Sequence, residues 1–173
     1  TWVWNGSVWS ERVVSGPSPR YAPAMAHDSA RGMTVLTGGR TSNGSSDQTW
    51  EWNGTSWVQR IVSRPSNRYR HAMAYDVARG VTVHFGGIGP GGNHNNETWE
   101  WNGTAWSRRT VSSPSPRYGC GAVYDATRNE TVIFGGGSNA FGYNGETWKW
   151  NGTVWALWAG DAPSPRYSPS MTY

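Results

Sequence analysis

The sequence predicts an all-β protein built from repeated units of four antiparallel strands. The evidence is a set of three short motifs that recur along the chain at intervals of 48 or 49 residues. Thr-Trp-x-Trp-Asn-Gly begins at Thr1, Thr49, Thr98 and Thr147. Arg-Tyr begins at Arg20, Arg68, Arg117 and Arg166, and Gly-Gly begins at Gly38, Gly86 and Gly135. Residues 1–173 therefore form a single repeat domain, or a fragment of one, with units starting near the four threonines.

The second unit shows the local signals for four strands. A first strand through residues 72–75 is followed by turn chemistry at 76–80, where glycine tolerates a positive φ. A second strand, 81–85, leads into Gly-Gly and a polar loop of nine or ten residues. A third strand, 98–101, ends at Asn-Gly, and a fourth begins near Trp106. No segment of useful length has a helical period, so we expect almost no helix.

Asn-Gly between apolar residues is a strong hairpin signal. A two-residue loop at Asn-Gly would place Trp50 opposite Trp57 and Trp99 opposite Trp106. Twelve of the thirteen tryptophans belong to the repeat, so we expect their rings to be buried between neighbouring units. A tryptophan stripe that lines a glycan site is the alternative.

Four strands in a repeat of about 50 residues are typical of a β-propeller blade. Arg-Tyr before the first strand, Gly-Gly after the second and a tryptophan in the fourth make the whole chain resemble the kelch-repeat propellers. The bacterial form of this motif is also similar to the central domain of galactose oxidase. The resemblance implies three complete blades, a leading strand pair and one trailing strand, about 15 strands in all. It implies little about function, because kelch propellers serve as enzymes, adaptors and adhesins.

The phase of the repeat leaves the terminal blade incomplete. The end of the chain would supply its first strand and the beginning its third and fourth, but nothing would supply the second. Native proteins avoid such open strand edges. We therefore expect further chain outside residues 1–173, or closure by the strand of a neighbouring chain.

Composition and charge exclude several classes of protein. The apolar runs are too short for a transmembrane helix, and Cys120 is the only cysteine, which excludes an intrachain disulfide. The net charge is +4, but the arginines recur at fixed intervals instead of clustering, so no nucleic-acid partner is expected. Asn-x-Ser/Thr sequons and the kelch resemblance favour an extracellular or cell-surface protein, although four of the sequons lie at the Asn-Gly turns.

No catalytic or metal-binding motif is present in the sequence. Gly-x-Ser-x-Gly, a phosphate loop and a paired-carboxylate constellation are all missing. The resemblance to galactose oxidase would imply a copper site of two tyrosines, two histidines and a cysteine-modified tyrosine, but the spacing around Cys120 does not reproduce it. His84 stands where other units have Leu36 and Ile133, so we expect a packed neutral ring. The sequence predicts no catalytic residue, metal or cofactor.

Positions that are alike in every unit are expected to be structural. The arginines of Arg-Tyr should bond carbonyls or acids of the adjoining blade, and Asp28, Asp76 and Asp125 should cap their turns. Positions that differ are free to carry function. They concentrate in the loops 40–48, 88–97 and 137–146, which emerge on one side of the disc, opposite the tight turns. The candidate ligand-binding residues are Arg40, Arg70, His71, Asn93, His94, Asn95, Phe141 and Tyr143.

Leu157 and Trp158 make the last fourth strand unusually apolar. Trp158 stands where other units have Arg12, Arg60 and Arg109, so we expect an assembly surface against another domain or a second chain. The function predicted is a non-enzymatic extracellular binding or scaffold module with a protein or glycan ligand, able to assemble through its open terminal blades. A carbohydrate-binding propeller and the propeller portion of a larger secreted enzyme are the alternatives.

Overall fold

Strands make up nearly all of the regular structure in the computed structural model, which describes residues 1–138 and 142–173. This part of the chain contains eighteen strands and one 3-10 helix, Pro90–Gly92. Twelve of the strands form three four-stranded antiparallel sheets, here named blades A, B and C. The all-β prediction and the three complete blades are confirmed. No helix in the described residues is long and apolar enough to cross a membrane.

The strands follow one another as a simple meander within each blade. An N-terminal pair consists of β1 (Trp2–Trp4) and β2 (Trp9–Glu11). Blade A contains β3 (Ala24–Asp28), β4 (Met33–Thr37), β7 (Thr49–Trp52) and β8 (Trp57–Arg60), with the hairpin β5 (Arg40–Thr41) and β6 (Gly44–Ser45) in its loop. Blade B contains β9 (Ala72–Asp76), β10 (Val81–Phe85), β11 (Thr98–Trp101) and β12 (Trp106–Arg109). Blade C contains β13 (Gly121–Asp125), β14 (Glu130–Phe134), β17 (Thr147–Trp150) and β18 (Trp155–Leu157), with β15 (Gly137–Ser138) and β16 (Gly142–Tyr143) in its loop.

The strand count differs from the predicted fifteen for two reasons. The short hairpins β5–β6 and β15–β16 lie in loops for which no strands were expected. Conversely, residues 158–173 contain no strand, so the predicted trailing strand is wrong. The end of the chain still follows the path of the repeat, since the Ser168 N–H donates to the Gly119 carbonyl over 2.8 Å.

The Asn-Gly turns are longer than the sequence suggested. Trp52 lies opposite Trp57 and Trp101 opposite Trp106, so four residues form each loop and the predicted pairing of Trp50 with Trp57 is wrong. The side chain of Asn53 explains the extra length. Its Oδ1 accepts the N–H groups of Thr55 and Ser56 over 2.9 and 2.8 Å, which satisfies backbone donors that a two-residue loop would not contain.

Tryptophans from one blade bond to the third strand of the blade before it. Between blades A and B, Trp101 Nε1 donates to Glu51 Oε1 and Trp106 Nε1 to Thr49 Oγ1, each over 2.9 Å. Between blades B and C the same bonds run from Trp150 to Glu100 and from Trp155 to Thr98, each over 2.8 Å. Trp101 and Trp150 are fully buried, which confirms the expected packing of the tryptophans at these two interfaces. The prediction is wrong for the N-terminal pair, where Trp2, Trp4 and Trp9 are 60%, 48% and 63% exposed.

The interface glutamates are also held by arginines. Glu100 accepts bonds from Arg79 and Arg109, and Glu51 accepts equivalent bonds from Arg31 and Arg60. Burial alone would raise the pKa of Glu100, but the bonds from Arg79, Trp150 and Arg109 outweigh it and lower that pKa below its usual value. Each carboxylate is therefore charged and forms hydrogen bonds to side chains of two neighbouring blades.

The repeated arginines and aspartates have structural roles, with one correction. Arg68 donates to the Gly86 carbonyl over 3.2 Å and to Glu97 over 2.5 Å, and both partners belong to its own blade instead of the adjoining one. Arg68 bonds within its own blade because it precedes the first strand, and the Gly-Gly pair and the residue before the third strand lie beside it. The Arg79 N–H donates to Asp76 Oδ1 over 3.0 Å, so the predicted aspartate cap is confirmed.

Candidate functional site

The residue that follows each Arg-Tyr pair has a left-handed backbone. Ala22, Arg70, Gly119 and Ser168 have φ angles of 48°, 56°, 62° and 49°. Consecutive members are joined by hydrogen bonds. The Arg70 N–H donates to the Ala22 carbonyl over 3.0 Å, and the Gly119 N–H donates to the Arg70 carbonyl over 2.8 Å. This backbone is uncommon for residues other than glycine, but here each unit fixes it in the next.

The tyrosine of each pair is tied to the variable loop of its own blade. Tyr21 and Arg40 exchange two backbone hydrogen bonds, each of 2.8 Å. Tyr69 pairs in the same way with Ile88, and Tyr118 with Gly137. The tyrosines therefore mark the point where the inner strands begin and the variable loops leave the sheet.

Arg70 lies among four tyrosines, one from each unit. Its Cζ is 5.2, 6.0, 5.8 and 5.3 Å from the ring centroids of Tyr21, Tyr69, Tyr118 and Tyr167. Its Nε donates to Tyr21 Oη over 3.1 Å, and this bond raises the pKa of Arg70. Each distance is within the range of a cation–π contact. These five residues are here named the Arg70 cluster.

The variable loops extend the aromatic surface outward from the Arg70 cluster. The His94 ring lies 4.6 Å from that of Tyr118, and Tyr143 stacks on Tyr167 at 6.2 Å with 22° between the ring planes. Arg40 lies 5.7 Å from the centroid of Tyr69. This surface therefore combines paired aromatic rings with the guanidinium groups of Arg40 and Arg70.

Two cavities open beside the cluster. One of about 380 Å³ is lined by Arg70, Tyr21, Tyr167 and the starts of the inner strands. Another of about 370 Å³ lies between the loops of blades A and B and is lined by Arg40 and Tyr69. A third cavity, of about 450 Å³, lies at the opposite end of the inner strands, among methionines, alanines and Tyr173. The two cavities beside the Arg70 cluster are lined by both arginines and tyrosines, whereas the third is lined by no charged side chain.

Comparison with solved structures supports the architecture. A solved structure titled "Structure of YjhT" superposes with a TM-score of 0.63 and 16% sequence identity, and the match covers 87% of this chain. The chain has a β-propeller-like fold. The match spans about half, 48%, of the YjhT chain. No family model and no curated protein matches the sequence.

The structure brings together four of the predicted site residues of this propeller-like fold: Arg40, Arg70, His94 and Tyr143. Asn93 is exposed and its Nδ2 donates to the Pro90 carbonyl over 3.1 Å. The backbone of Asn95 forms two hydrogen bonds: its N–H donates to the Gly87 carbonyl, and its carbonyl accepts from the Arg117 N–H. Phe141 lies outside the described residues.

His71 has a buried position in the core, with only 6% of its surface exposed. Its ring stacks on His84 at 4.3 Å, and its Nε2 lies 2.9 Å from Thr37 Oγ1. Burial and the nearby Arg68 lower the pKa of His71 to about 3, and burial lowers that of His84 as well. Both rings are therefore neutral near pH 7, as the sequence predicted for His84. In the described residues, no three His, Cys, Asp or Glu side chains are close enough to hold a metal ion.

Sequence reasoning missed the four tyrosines of the cluster. They recur in every unit, and the repeated positions were assigned to structural roles. The available signal was their placement immediately before the inner strand, because inner strands of a propeller surround a common axis. A residue repeated at that point is brought together with its equivalents.

The predicted assembly residues lie at the other end of the blade series. Leu157 and Trp158 are each 50% exposed. The Lys149 ammonium lies 5.4 Å from the centroid of the Trp158 ring, which replaces the Glu–Arg pair found in blades A and B. This outer face of blade C is therefore chemically different from the faces that join the blades.

Proposed function

We propose that this chain is a non-enzymatic binding module, part of a kelch-like propeller, whose ligand lies on the Arg70 cluster. One observation carries the proposal. The positions equivalent to Arg70 hold Ala22, Gly119 and Ser168 in the same backbone conformation. The fold therefore does not need a long cation at this place, and ligand binding gives the guanidinium a role.

The groups of the cluster suit recognition better than proton transfer. Tyrosine rings offer flat apolar surface with a hydroxyl at the edge, and arginine supplies several fixed donors. Neither side chain commonly exchanges protons near neutral pH. Tyr21 is 55% exposed and Tyr143 is 65% exposed, so a ligand can reach the rings without any movement of the backbone.

The chemistry fits a peptide segment of a protein partner, with its carbonyls bonded to the arginines and its side chains on the rings. The stacked pair of Tyr143 and Tyr167 favours a second candidate, a carbohydrate, because sugar rings pack on flat aromatic faces. An extracellular setting and a place within a larger secreted enzyme both stay proposals that rest on the kelch resemblance.

Arrays of glycans and of peptides, probed with matched variants, test this function. Arg70→Ser copies the residue that Ser168 places in the same backbone, so the variant should fold. We expect it to lose the array ligands that the unaltered chain binds, while the control Arg12→Ser, in the N-terminal segment, retains them. Loss on the glycan array would identify a carbohydrate ligand, and loss on the peptide array a protein ligand. Equal binding by Arg70→Ser and the unaltered chain would contradict the proposal.

A further inference from the structure

Three departures from the repeat meet at the cavity of about 370 Å³ between the loops of blades A and B, here named the Arg40 cavity. The first is Arg40 itself, which stands where blade B has Ile88. The second is Asn67, which stands where every other unit has a proline. The third is the 3-10 turn Pro90–Gly92, because the loops of blades A and C form short hairpins instead. The other units lack all three features, so the repeat itself does not require them.

Arg40 gives this cavity a positive charge that no acid of the chain neutralises. Its side chain is exposed and reaches the next blade, where its Cζ lies 5.7 Å from the centroid of the Tyr69 ring. The acid of its own loop, Asp47, is paired with Arg64 over 3.1 Å. Within the part of the chain that the structure describes, Arg40 forms no ion pair. Its guanidinium is therefore available to an anion from outside the chain.

The remaining walls of the Arg40 cavity fit a small, mainly apolar body. Tyr69 and Ile88 line it with an aromatic ring and an aliphatic side chain. Asn67 Nδ2 donates to the Ser45 carbonyl over 3.3 Å, which ties the loop of blade A to the entry of blade B. Gly91, on the opposite loop, has a φ of 67°, a backbone that disfavours the larger residues that would fill the space. The volume is at the lower end of the range for small-molecule sites.

We propose that the Arg40 cavity binds a small carboxylic acid. The guanidinium of Arg40 presents parallel N–H donors that match the two oxygens of a carboxylate, and the body of the acid lies on Tyr69 and Ile88. Of the described residues that line the cavity, Arg40 alone is charged, and one cation balances a carboxylate better than a phosphate dianion. The inference does not depend on the proposed function, although Tyr69 also belongs to the Arg70 cluster.

Benzoate and benzamide, which share a ring and differ in charge, are matched probes of this site. In an NMR titration of the isotope-labelled chain, benzoate should shift the amide signals of Gly91 and Gly92, and benzamide should not. Gly119 reports on the Arg70 cluster, because its N–H donates to the Arg70 carbonyl over 2.8 Å. Equal shifts with benzamide would overturn the choice of a carboxylate. Shifts confined to Gly119, or no shifts with benzoate, would overturn the site.

Three variants test the role of the guanidinium. Arg40→Ile copies Ile88, which forms the same backbone bonds with the tyrosine of its own blade, so the variant should fold. Its affinity for benzoate should fall by about tenfold or more, because a charge-assisted hydrogen bond is lost. Arg12→Ile removes the same charge elsewhere and should bind benzoate as the unaltered chain does. Asn67→Pro copies the other units and should weaken benzoate binding severalfold, because it releases the loop from Ser45. Unchanged affinity in Arg40→Ile, or in Asn67→Pro if the first variant does not fold, would contradict the proposal, as would an equal loss in Arg12→Ile.

Discussion

The two ends of the blades differ in what their side chains bond to. At the turn end, the Asn-Gly loops and the aspartate turns repeat almost without change, and their side chains satisfy the chain's own backbone. Asn53 and Asn102 each accept N–H groups two and three residues ahead. At the loop end, Arg40, Ile88 and Gly137 occupy equivalent places with unrelated side chains, although their backbone bonds are the same. Side chains that are the same in every unit therefore indicate that they bond to the backbone. Where the side chains differ but the backbone bonds do not, the surface can take on a function specific to one unit.

The loop end shows that repetition alone is not a sufficient guide. Arg68 and Tyr69 are neighbours and both recur in every unit. Arg68 is buried and bonds to Gly86 and Glu97, whereas Tyr69 contributes to the Arg70 cluster. The repeat brings Tyr69 close to the equivalent tyrosines of the other units, and together they surround Arg70.

The largest loss of stability should follow from removing an interface glutamate. Glu100→Ala would remove the acceptor of Trp150 and leave Arg79 with Asp76 as its remaining carboxylate partner, and we expect a loss of about 3 kcal/mol in the free energy of unfolding. Urea denaturation measures it. The matched change Lys149→Ala, at the open face, should cost less than about 1 kcal/mol. Equal costs for the two changes would contradict the distinction between internal and outer faces.

Acidification should weaken the joint between blades A and B. The pKa of His71 is about 3 in the folded chain and near its ordinary value when unfolded, so the unfolded state takes up protons first. The contribution of neutral His71 to the free energy of unfolding is therefore complete above about pH 6.5 and is lost as the pH falls toward 3. By pH 4.5 this loss is on the order of 2 kcal/mol. His71 and His84 stack on each other, and Thr37, Arg68 and Trp106 lie around them. Asp47 lines the small cavity beside His84. The denaturation midpoints at pH 7 and 4.5 should lie closer together in His71→Cys, which copies Cys120, and an unchanged difference between them would contradict this origin of the pH dependence.

A pair of asparagine variants compares the two ends directly. Asn102→Ala removes an acceptor of two backbone N–H groups at the turn end and should cost about 1 kcal/mol. Asn93→Ala, in an exposed loop, should change stability by less than about 0.5 kcal/mol. Thermal or urea unfolding of both variants decides the matter, and a larger cost at Asn93 would reverse the comparison.

The sequence predicted the blades well because each motif occupies a fixed place in the repeat. The Asn-Gly loop length was wrong, since the Asn53 side chain stabilises a four-residue loop that the dipeptide alone does not reveal. Variation between units selected Arg70 and Tyr143, which the structure places at one surface, and His71, whose ring is buried against His84 beside the same cavity as Arg70. Contacts across the axis, such as those of Arg70 with Tyr167, depend on how the blades are arranged, and the sequence signals them only through the repeated place of the tyrosines before the inner strands.

The most direct test of the central claim is the affinity of Arg70→Ser for a ligand of the unaltered chain, measured by isothermal titration calorimetry. The account predicts at least a tenfold loss of affinity, because the guanidinium at the centre of the four tyrosines is removed. The unfolding midpoint should stay the same, because Ser168 adopts the same backbone. Unchanged affinity in this variant would contradict the assignment of the Arg70 cluster as the ligand site.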